Sequence, residues 1–332
     1  MSAQFTSVQE AIKATASLYA RVEKVIPPEE WAGFAEDILA INELKKKHNA
    51  VILAHNYMTP EIFYGVADIS GDSLALAREA ASVDADIIVM AGVHFMAETA
   101  KLMNLKRTVL MPDMEAGCSL ADSITSEDVR ALRKKYPDVP IITYVNTSAS
   151  VKAECDICCT SGNTKKIVES FGVPEVILVP DQYLARNVAA QTDVKIIIWE
   201  GSCEVHERFT LQEVREYRAQ HQDIAVVAHP ECPPDVVAEA DFSGSTVGMI
   251  DWVVAHKPKK VMLLTECSMS DNVAVQYPDV EFVRPCQLCP YMKKITLKKI
   301  RHSLENMTHA VEIPHAIMVP ARCAVERMIE AS

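Results

Sequence analysis

Short apolar runs alternate with helical stretches along this chain, and the alternation occurs three times in the same order. Each copy opens with a helical stretch and an apolar strand that ends in polar residues: AVILAHNY (50–57), PIITYVNT (140–147) and IAVVAHPE (224–231). A Ser/Thr-Gly turn opening a helix comes next, in SGDSLALAREA (70–80), TSGNTKKIVES (160–170) and FSGSTVGMIDWVV (242–254). A second strand (ADIIVMAG, PEVILVPD, KKVMLLTE), a second helix and a third strand (RTVLMPD, VKIIIWE, VEFVRP) complete each copy, which closes on a cysteine. Runs rich in Val, Ile and Leu without polar alternation predict parallel strands covered on both faces by helices.

Spacing separates a true repeat from the alternation any α/β chain shows. His55 to Ser73 is 18 residues, Asn146 to Ser161 is 15 and His229 to Thr246 is 17. From there to the closing cysteine is 45 residues to Cys118, 42 to Cys203 and 43 to Cys289. The predicted fold is α/β: three homologous three-layer α/β/α units with short parallel sheets, arranged around a pseudo-threefold axis. The units run over 35–123, 124–209 and 210–292. A helical extension at 1–34, broken at Pro27-Pro28, precedes them. A helical segment at 293–332 follows, packing back on the first unit, with its final helix opened near Pro320.

Open parallel sheets bind ligands beyond the carboxyl ends of their strands. The polar residues that recur in register lie there, so the symmetry would bring them to one central site. Cys118, Cys203 and Cys289 would supply three thiolates to one metal centre, and a [4Fe–4S] cluster held by three cysteines keeps one iron open. Ser73, Ser161 and Thr246 lie at helix starts, where N–H groups and the dipole hold phosphate or carboxylate, although Ser and Thr are also ordinary caps. His55, Tyr57, Tyr144, Asn146, His229 and Glu231 fall at strand ends. His229-Pro230-Glu231 holds an imidazole near a carboxylate, which suits proton transfer, with Tyr57 as acid or hydrogen-bond donor. His206, His221, His256, His302, His309 and His315 have no equivalents in the repeat and receive no role.

Ten cysteines leave other assignments open. Cys286 with Cys289 also reads as half of a zinc site or a redox pair, and Cys155, Cys158 and Cys159 as a metal knuckle. Oxidation could join Cys286 to Cys289 and withdraw a ligand. Cys232, Cys267 and Cys323 read as small buried apolar residues. The net charge of −12 argues against nucleic acid and anionic membrane surfaces as partners, so an anionic substrate needs local donors. No run is long and apolar enough to span a bilayer, no secretory signal is recognised, and a cytoplasmic location is expected.

The ordered set LAHNY, GDS, EAGCSLAD, YVNTSA, VKAECDICCTS, WEGSCEVHERF, HPEC, GST and CPYM resembles quinolinate synthase, over about residues 35 to 330. The resemblance implies three α/β domains around a [4Fe–4S] cluster, and it selects Cys289, before Pro290-Tyr291-Met292, over Cys286. It implies condensation of iminosuccinate with dihydroxyacetone phosphate to quinolinate in de novo NAD biosynthesis, with loss of phosphate and two waters. It assigns substrate contacts to His55, Ser73, Tyr144, Asn146, Ser161, His229, Glu231 and Thr246, with Tyr57 in acid–base work. A transient contact with the L-aspartate oxidase or dehydrogenase supplying iminosuccinate would go with it. An aconitase-like hydro-lyase, an iron–sulfur sensor or electron carrier and a zinc-stabilised binding protein would use parts of the same pattern.

Overall fold

A computed structural model describes residues 8–332; the expected extension's first seven residues lie outside the described range. Among the described residues, twelve strands form three four-stranded parallel sheets. The first contains β1 (Ala50–His55), β2 (Ile69–Gly71), β3 (Ile87–Ala91) and β4 (Thr108–Leu110). The second contains β5 (Ile141–Tyr144), β6 (Ile157–Cys159), β7 (Glu175–Val179) and β8 (Lys195–Ile198). The third contains β9 (Ala225–Ala228), β10 (Phe242–Ser243), β11 (Lys260–Leu264) and β12 (Glu281–Val283). Their spatial orders, β2-β1-β3-β4, β6-β5-β7-β8 and β10-β9-β11-β12, are one order repeated.

Each unit therefore has one strand more than the sequence pattern predicts. The additional edge strand is two or three residues long and follows a short helix: Pro60–Gly65, Ala149–Lys152 or Pro234–Glu239. One device anchors it in all three units. Asp68, Asp156 and Asp241 each accept the N–H of a residue in the first strand of their sheet (Ile52, Ile141 and Val226) at 2.8, 2.8 and 2.7 Å. Each carboxylate also meets a cation on the helix that leads into that first strand (Pro28–His48, Ser126–Lys135 or Leu211–Gln220): Lys45 at 2.7 Å, Arg133 at 3.1 Å and Arg218 at 3.0 Å. The CDICC run thus includes an edge strand, with Cys155, Cys158 and Cys159 buried.

Successive side chains on a strand point to opposite faces, and both faces are buried. In the third sheet, Val226, Ala228, Met262 and Leu264 enter one apolar cluster while Val227, Val261 and Leu263 enter another. The second sheet divides likewise between Ile141, Ile177 and Val179 and, on the other face, Ile142, Val176 and Leu178.

At the amino end, helices Val8–Ala14 and Ala16–Val22 precede a long helix, Pro28–His48, that begins at the expected proline break. At the carboxyl end, helix Leu297–Asn306 lies against Pro28–His48. The last helix, His315–Glu330, packs on Ala149–Lys152 and β6 of the second unit as well as on helix His94–Met103 of the first. It starts at His315, and Pro320 lies inside it instead of opening it. Cys323 is exposed on this helix, contrary to its expected burial, whereas Cys232 is buried. Among the described residues, no helix is long and apolar enough to cross a membrane.

Candidate active site

The carboxyl ends of the strands meet at one cavity. All twelve residues singled out in the sequence line it: His55, Tyr57, Ser73, Cys118, Tyr144, Asn146, Ser161, Cys203, His229, Glu231, Thr246 and Cys289. Val93, Phe95, Met96 and Met292 form an apolar part of the wall.

The three cysteines share one local geometry. Each opens a short helical turn in which the residue four positions on donates its N–H to the cysteine carbonyl: Asp122 to Cys118 at 3.0 Å, Glu207 to Cys203 at 3.0 Å and Lys293 to Cys289 at 3.1 Å. The backbone N–H groups two and three positions on, of Leu120 and Ala121, Val205 and His206, and Tyr291 and Met292, favour the ionised form of each sulfur. Burial pushes the Cys118 thiol up to about 12, with the charges of Glu231 and Cys289 adding to it. Burial likewise raises Cys203 and Cys289. Three half-buried thiols that line one cavity and disfavour one another's ionisation, with nearby backbone N–H groups favouring the thiolate, fit a positively charged metal centre. Such a centre deprotonates its thiol ligands, and N–H donors then stabilise the bound sulfur.

The loop carrying Cys203 lies tightly on the rest of the site. A Cβ on Gly201 would stand 2.5 Å from the Pro180 carbonyl oxygen and would strike Ser123 Oγ. Ser119 Oγ donates to the Ser202 carbonyl at 3.2 Å and accepts the Glu204 N–H at 3.1 Å, joining two ligand loops directly.

Cys286, which oxidation could join to Cys289, is bonded to Cys267 instead. The reason is strand geometry: Glu266 and Gln287 form a parallel bridge, which brings the α-carbons of Cys267 and Cys286 to 5.0 Å. Cys267 is therefore not merely a packing residue, and Cys289 remains a free thiol.

His55 and His229 are equivalent in tautomer as well as position. Nδ1 of each accepts a backbone N–H two residues on, from Tyr57 at 3.2 Å and Glu231 at 3.4 Å. In the neutral ring this leaves the proton on Nε2. Burial lowers His55 to about 4 and His229 to about 3, so both are neutral near pH 7.

Glu231 is 3% exposed, and both its oxygens are gripped. Tyr144 donates its hydroxyl to Oε1 at 2.6 Å, and His206 Nδ1 stands 2.7 Å from Oε2. His229 Nδ1 is farther, at 3.9 Å. Burial opposes ionisation of Glu231, yet His206, His229 and these hydrogen bonds hold its carboxyl well below the usual range. Burial, then the Glu231 charge, push the phenols of Tyr57 and Tyr144 well above their ordinary value.

His206, to which the sequence pattern gives no role, is thus part of the site. Its Nδ1 also lies 3.2 Å from Cys203 Sγ, and the Cys203, His206 and Glu231 donor atoms fall within 4.8 Å of one another. The residue has no histidine counterpart in the other units, where Ala121 and Met292 stand three places after the cysteine. A buried His three residues from a candidate ligand was the available signal.

The helix starts differ by one residue from the simple capping picture. Asp72 and Ser245 are the caps, accepting N–H bonds from Ala75 and Gly248, so Ser73 and Thr246 are the first helical residues. Their hydroxyls are not needed for capping. Thr246 Oγ1 accepts from Asn56 Nδ2 at 2.9 Å, which leaves its own proton to donate. Ser161 lies in the turn before helix Thr164–Ser170.

Residues 39–330 match the model of the family described as NadA, quinolinate synthetase A protein. The chain is 67% identical to quinolinate synthase 2 of Mesorhizobium japonicum, over 95% of this chain and 98% of that one. It is 65% identical to the quinolinate synthase of Agrobacterium fabrum, over 98% and 94% of the two chains. It is 66% identical to a quinolinate synthase of Xylella fastidiosa, over 89% and 87%. On a match that spans nearly its whole length, this chain belongs to the quinolinate synthetase A family.

Proposed function

We propose that this protein is a quinolinate synthase of NAD biosynthesis, condensing iminosuccinate with dihydroxyacetone phosphate to quinolinate, phosphate and two waters. The observation that carries the reading is convergence: three equivalent cysteines and nine polar residues at strand ends and helix starts line one cavity. In this reading Cys118, Cys203 and Cys289 hold a [4Fe–4S] cluster. When bound, it supplies a Lewis-acidic iron open to oxygen ligands, the chemistry that eases departure of a hydroxyl group.

The chain's own groups bind, orient and move protons. The Nε2–H groups of His55 and His229, the hydroxyls of Ser73, Ser161 and Thr246 and the amide of Asn146 hold carboxylate and phosphate oxygens. They supply locally what a chain of net charge −12 otherwise lacks. Glu231, ionised and fixed by Tyr144 and His206, is the general base for the condensation and tautomerisation steps. Tyr57 serves as its partner in acid–base and positioning work. Val93, Phe95 and Met96 exclude water from a reaction that must itself release it.

The reading includes a cytoplasmic location and a transient contact with the oxidase or dehydrogenase that makes iminosuccinate, since an imine hydrolyses in open water. An anaerobic assay with reconstituted protein tests it: the wild type forms quinolinate from the two substrates and Cys203→Ser does not. Equal activity in the two would overturn both the ligand assignment and the mechanism.

A further inference from the structure

Tyr57 and Glu231 occupy the same place in two equivalent turns. In the first unit the Met58 N–H closes a turn on the His55 carbonyl at 2.9 Å. In the third, the Cys232 N–H closes one on the His229 carbonyl at 3.0 Å. Tyr57 and Glu231 are the third residues of these turns. Such a turn satisfies one of its own carbonyls, and the others need donors from elsewhere when they are buried.

Those donors come from a neighbouring unit in both cases. Asn187, on helix Gln182–Ala189 of the second unit, donates from Nδ2 to the Pro230 and Cys232 carbonyls of the third, each at 2.9 Å. Asn272, on helix Cys267–Gln276 of the third unit, donates to the Asn56 carbonyl of the first at 3.1 Å and to that of Met58 at 2.8 Å. The two carbonyls are in each case those just before and just after the functional residue. The asparagines are themselves equivalent: each is buried and stands six residues after the cap of its helix, Asp181 or Glu266. An amide that faces two carbonyls must present its NH2 group, and both of its protons are then used.

The remaining boundary is built differently. In the first unit Thr99 stands six residues after the cap Val93 of helix His94–Met103 and turns its hydroxyl back on its own helix, to the Phe95 carbonyl at 2.8 Å. The second unit's strand-end segment, which carries Tyr144 and Asn146, is held from within that unit, by Lys152 Nζ on the Thr147 carbonyl. Among the described residues, the two-pronged grip thus falls on the two turns that carry Tyr57 and Glu231.

We propose that Asn187 and Asn272 are positioning residues, each a clamp that sets the aim of one proton-transfer group, Glu231 and Tyr57 respectively, from across a unit boundary. With both flanking carbonyls tied, neither peptide plane beside the functional residue can rotate without breaking a buried hydrogen bond. The direction in which its side chain leaves the backbone is therefore fixed by the neighbouring unit. In the first unit Lys293 Nζ adds a third bond, to the Tyr57 carbonyl at 3.2 Å. Proton transfer requires hydrogen-bond reach, and a displacement of about 1 Å can cost about 10²-fold in rate. The inference rests on the reading of Glu231 and Tyr57 as proton-transfer groups.

The test is a pair of double-mutant cycles on the reconstituted holoenzyme, with iron content and thermal unfolding followed in each variant. Asn187→Leu and Asn272→Leu keep a side chain of similar size and remove both donors. Each is expected to lower kcat by about 10- to 10²-fold, with a smaller change in KM and with iron content unchanged. Asn187→Thr and Asn272→Thr keep a single donor and should fall between the wild type and the leucine variants. They replace the leucine variants if those fail to fold or to load iron. Asn187→Leu should add little further loss on a Glu231→Gln background, and Asn272→Leu little on a Tyr57→Phe background, because a clamp has no effect once the group it aims is gone. Wild-type kcat in the leucine variants, or losses that multiply in full in these double variants, would overturn the clamps. Wild-type kcat in Glu231→Gln or Tyr57→Phe alone would overturn the reading of that residue, and its clamp with it.

Discussion

His206 Nδ1 stands 2.7 Å from Glu231 Oε2, while Nδ1 of His229, two residues from Glu231 in sequence, stands 3.9 Å away. The nearer imidazole comes from a different unit. Through Nδ1, His229 accepts a backbone N–H instead. Glu231 is therefore oriented across a unit boundary, by Tyr144 and His206 together. Glu231→Gln keeps the size of the side chain and removes the base. It is expected to lower kcat by about 10²- to 10⁴-fold, with a smaller change in KM. Steady-state kinetics check this, and a variant with wild-type kcat would remove Glu231 from the chemistry.

The two neutral histidines make stability depend on pH. His55 and His229 titrate at about 4 and about 3 in the folded protein, against 6.5 ordinarily. The unfolded chain therefore binds more protons below 6.5, and stability falls as pH drops from there towards 4. The slope contributed by each histidine approaches about 1.4 kcal/mol per pH unit. Above 6.5 the pair contributes no slope. Urea unfolding at pH 7.5, 6 and 5 measures the trend, and His55→Gln should flatten it. A variant as pH-sensitive as the wild type would show that His55 is not buried neutral.

Gly201 sits where the Cys203 loop meets Ser123 and the Pro180 carbonyl. A methyl group there has no space, and its rigid backbone neighbour cannot swing aside. Gly201→Ala should cost about 1–3 kcal/mol, the usual penalty of overpacking, and lower the iron content by displacing Cys203. Thermal unfolding and iron analysis together check this.

Peptide mapping without reductant should recover the Cys267–Cys286 link and find Cys289 free for alkylation in cluster-free protein. A Cys286–Cys289 link would contradict the arrangement.

Much of this was legible because the repeat acts as an internal comparison: a residue recurring at one place in three units is marked without any second sequence. That marked Cys118, Cys203 and Cys289 and the strand-end polar set, which the fold gathers into one cavity. The same comparison passes over residues present in one unit alone, and so it misses His206. The edge strands escape because two or three residues carry no readable period. Their anchoring aspartates, Asp68, Asp156 and Asp241, do recur, but a lone Asp in a polar turn reads as solvent-facing. The caps were misplaced by one residue, because Asp72-Ser73 and Ser245-Thr246 both offer adjacent capping types. The Cys267 pairing depends on which strand lies beside which, and spacing along the chain does not encode that.

The central claim is that three equivalent cysteines hold one iron–sulfur centre. Iron and sulfide analysis of anaerobically purified protein tests it most directly, comparing wild type with Cys118→Ser, Cys203→Ser, Cys289→Ser and, as a control, Cys286→Ser. The expected result is about four irons and four sulfides per chain in the wild type and Cys286→Ser, with marked loss in the other three. Zinc in place of iron, or full iron content in any of those three variants, would contradict it.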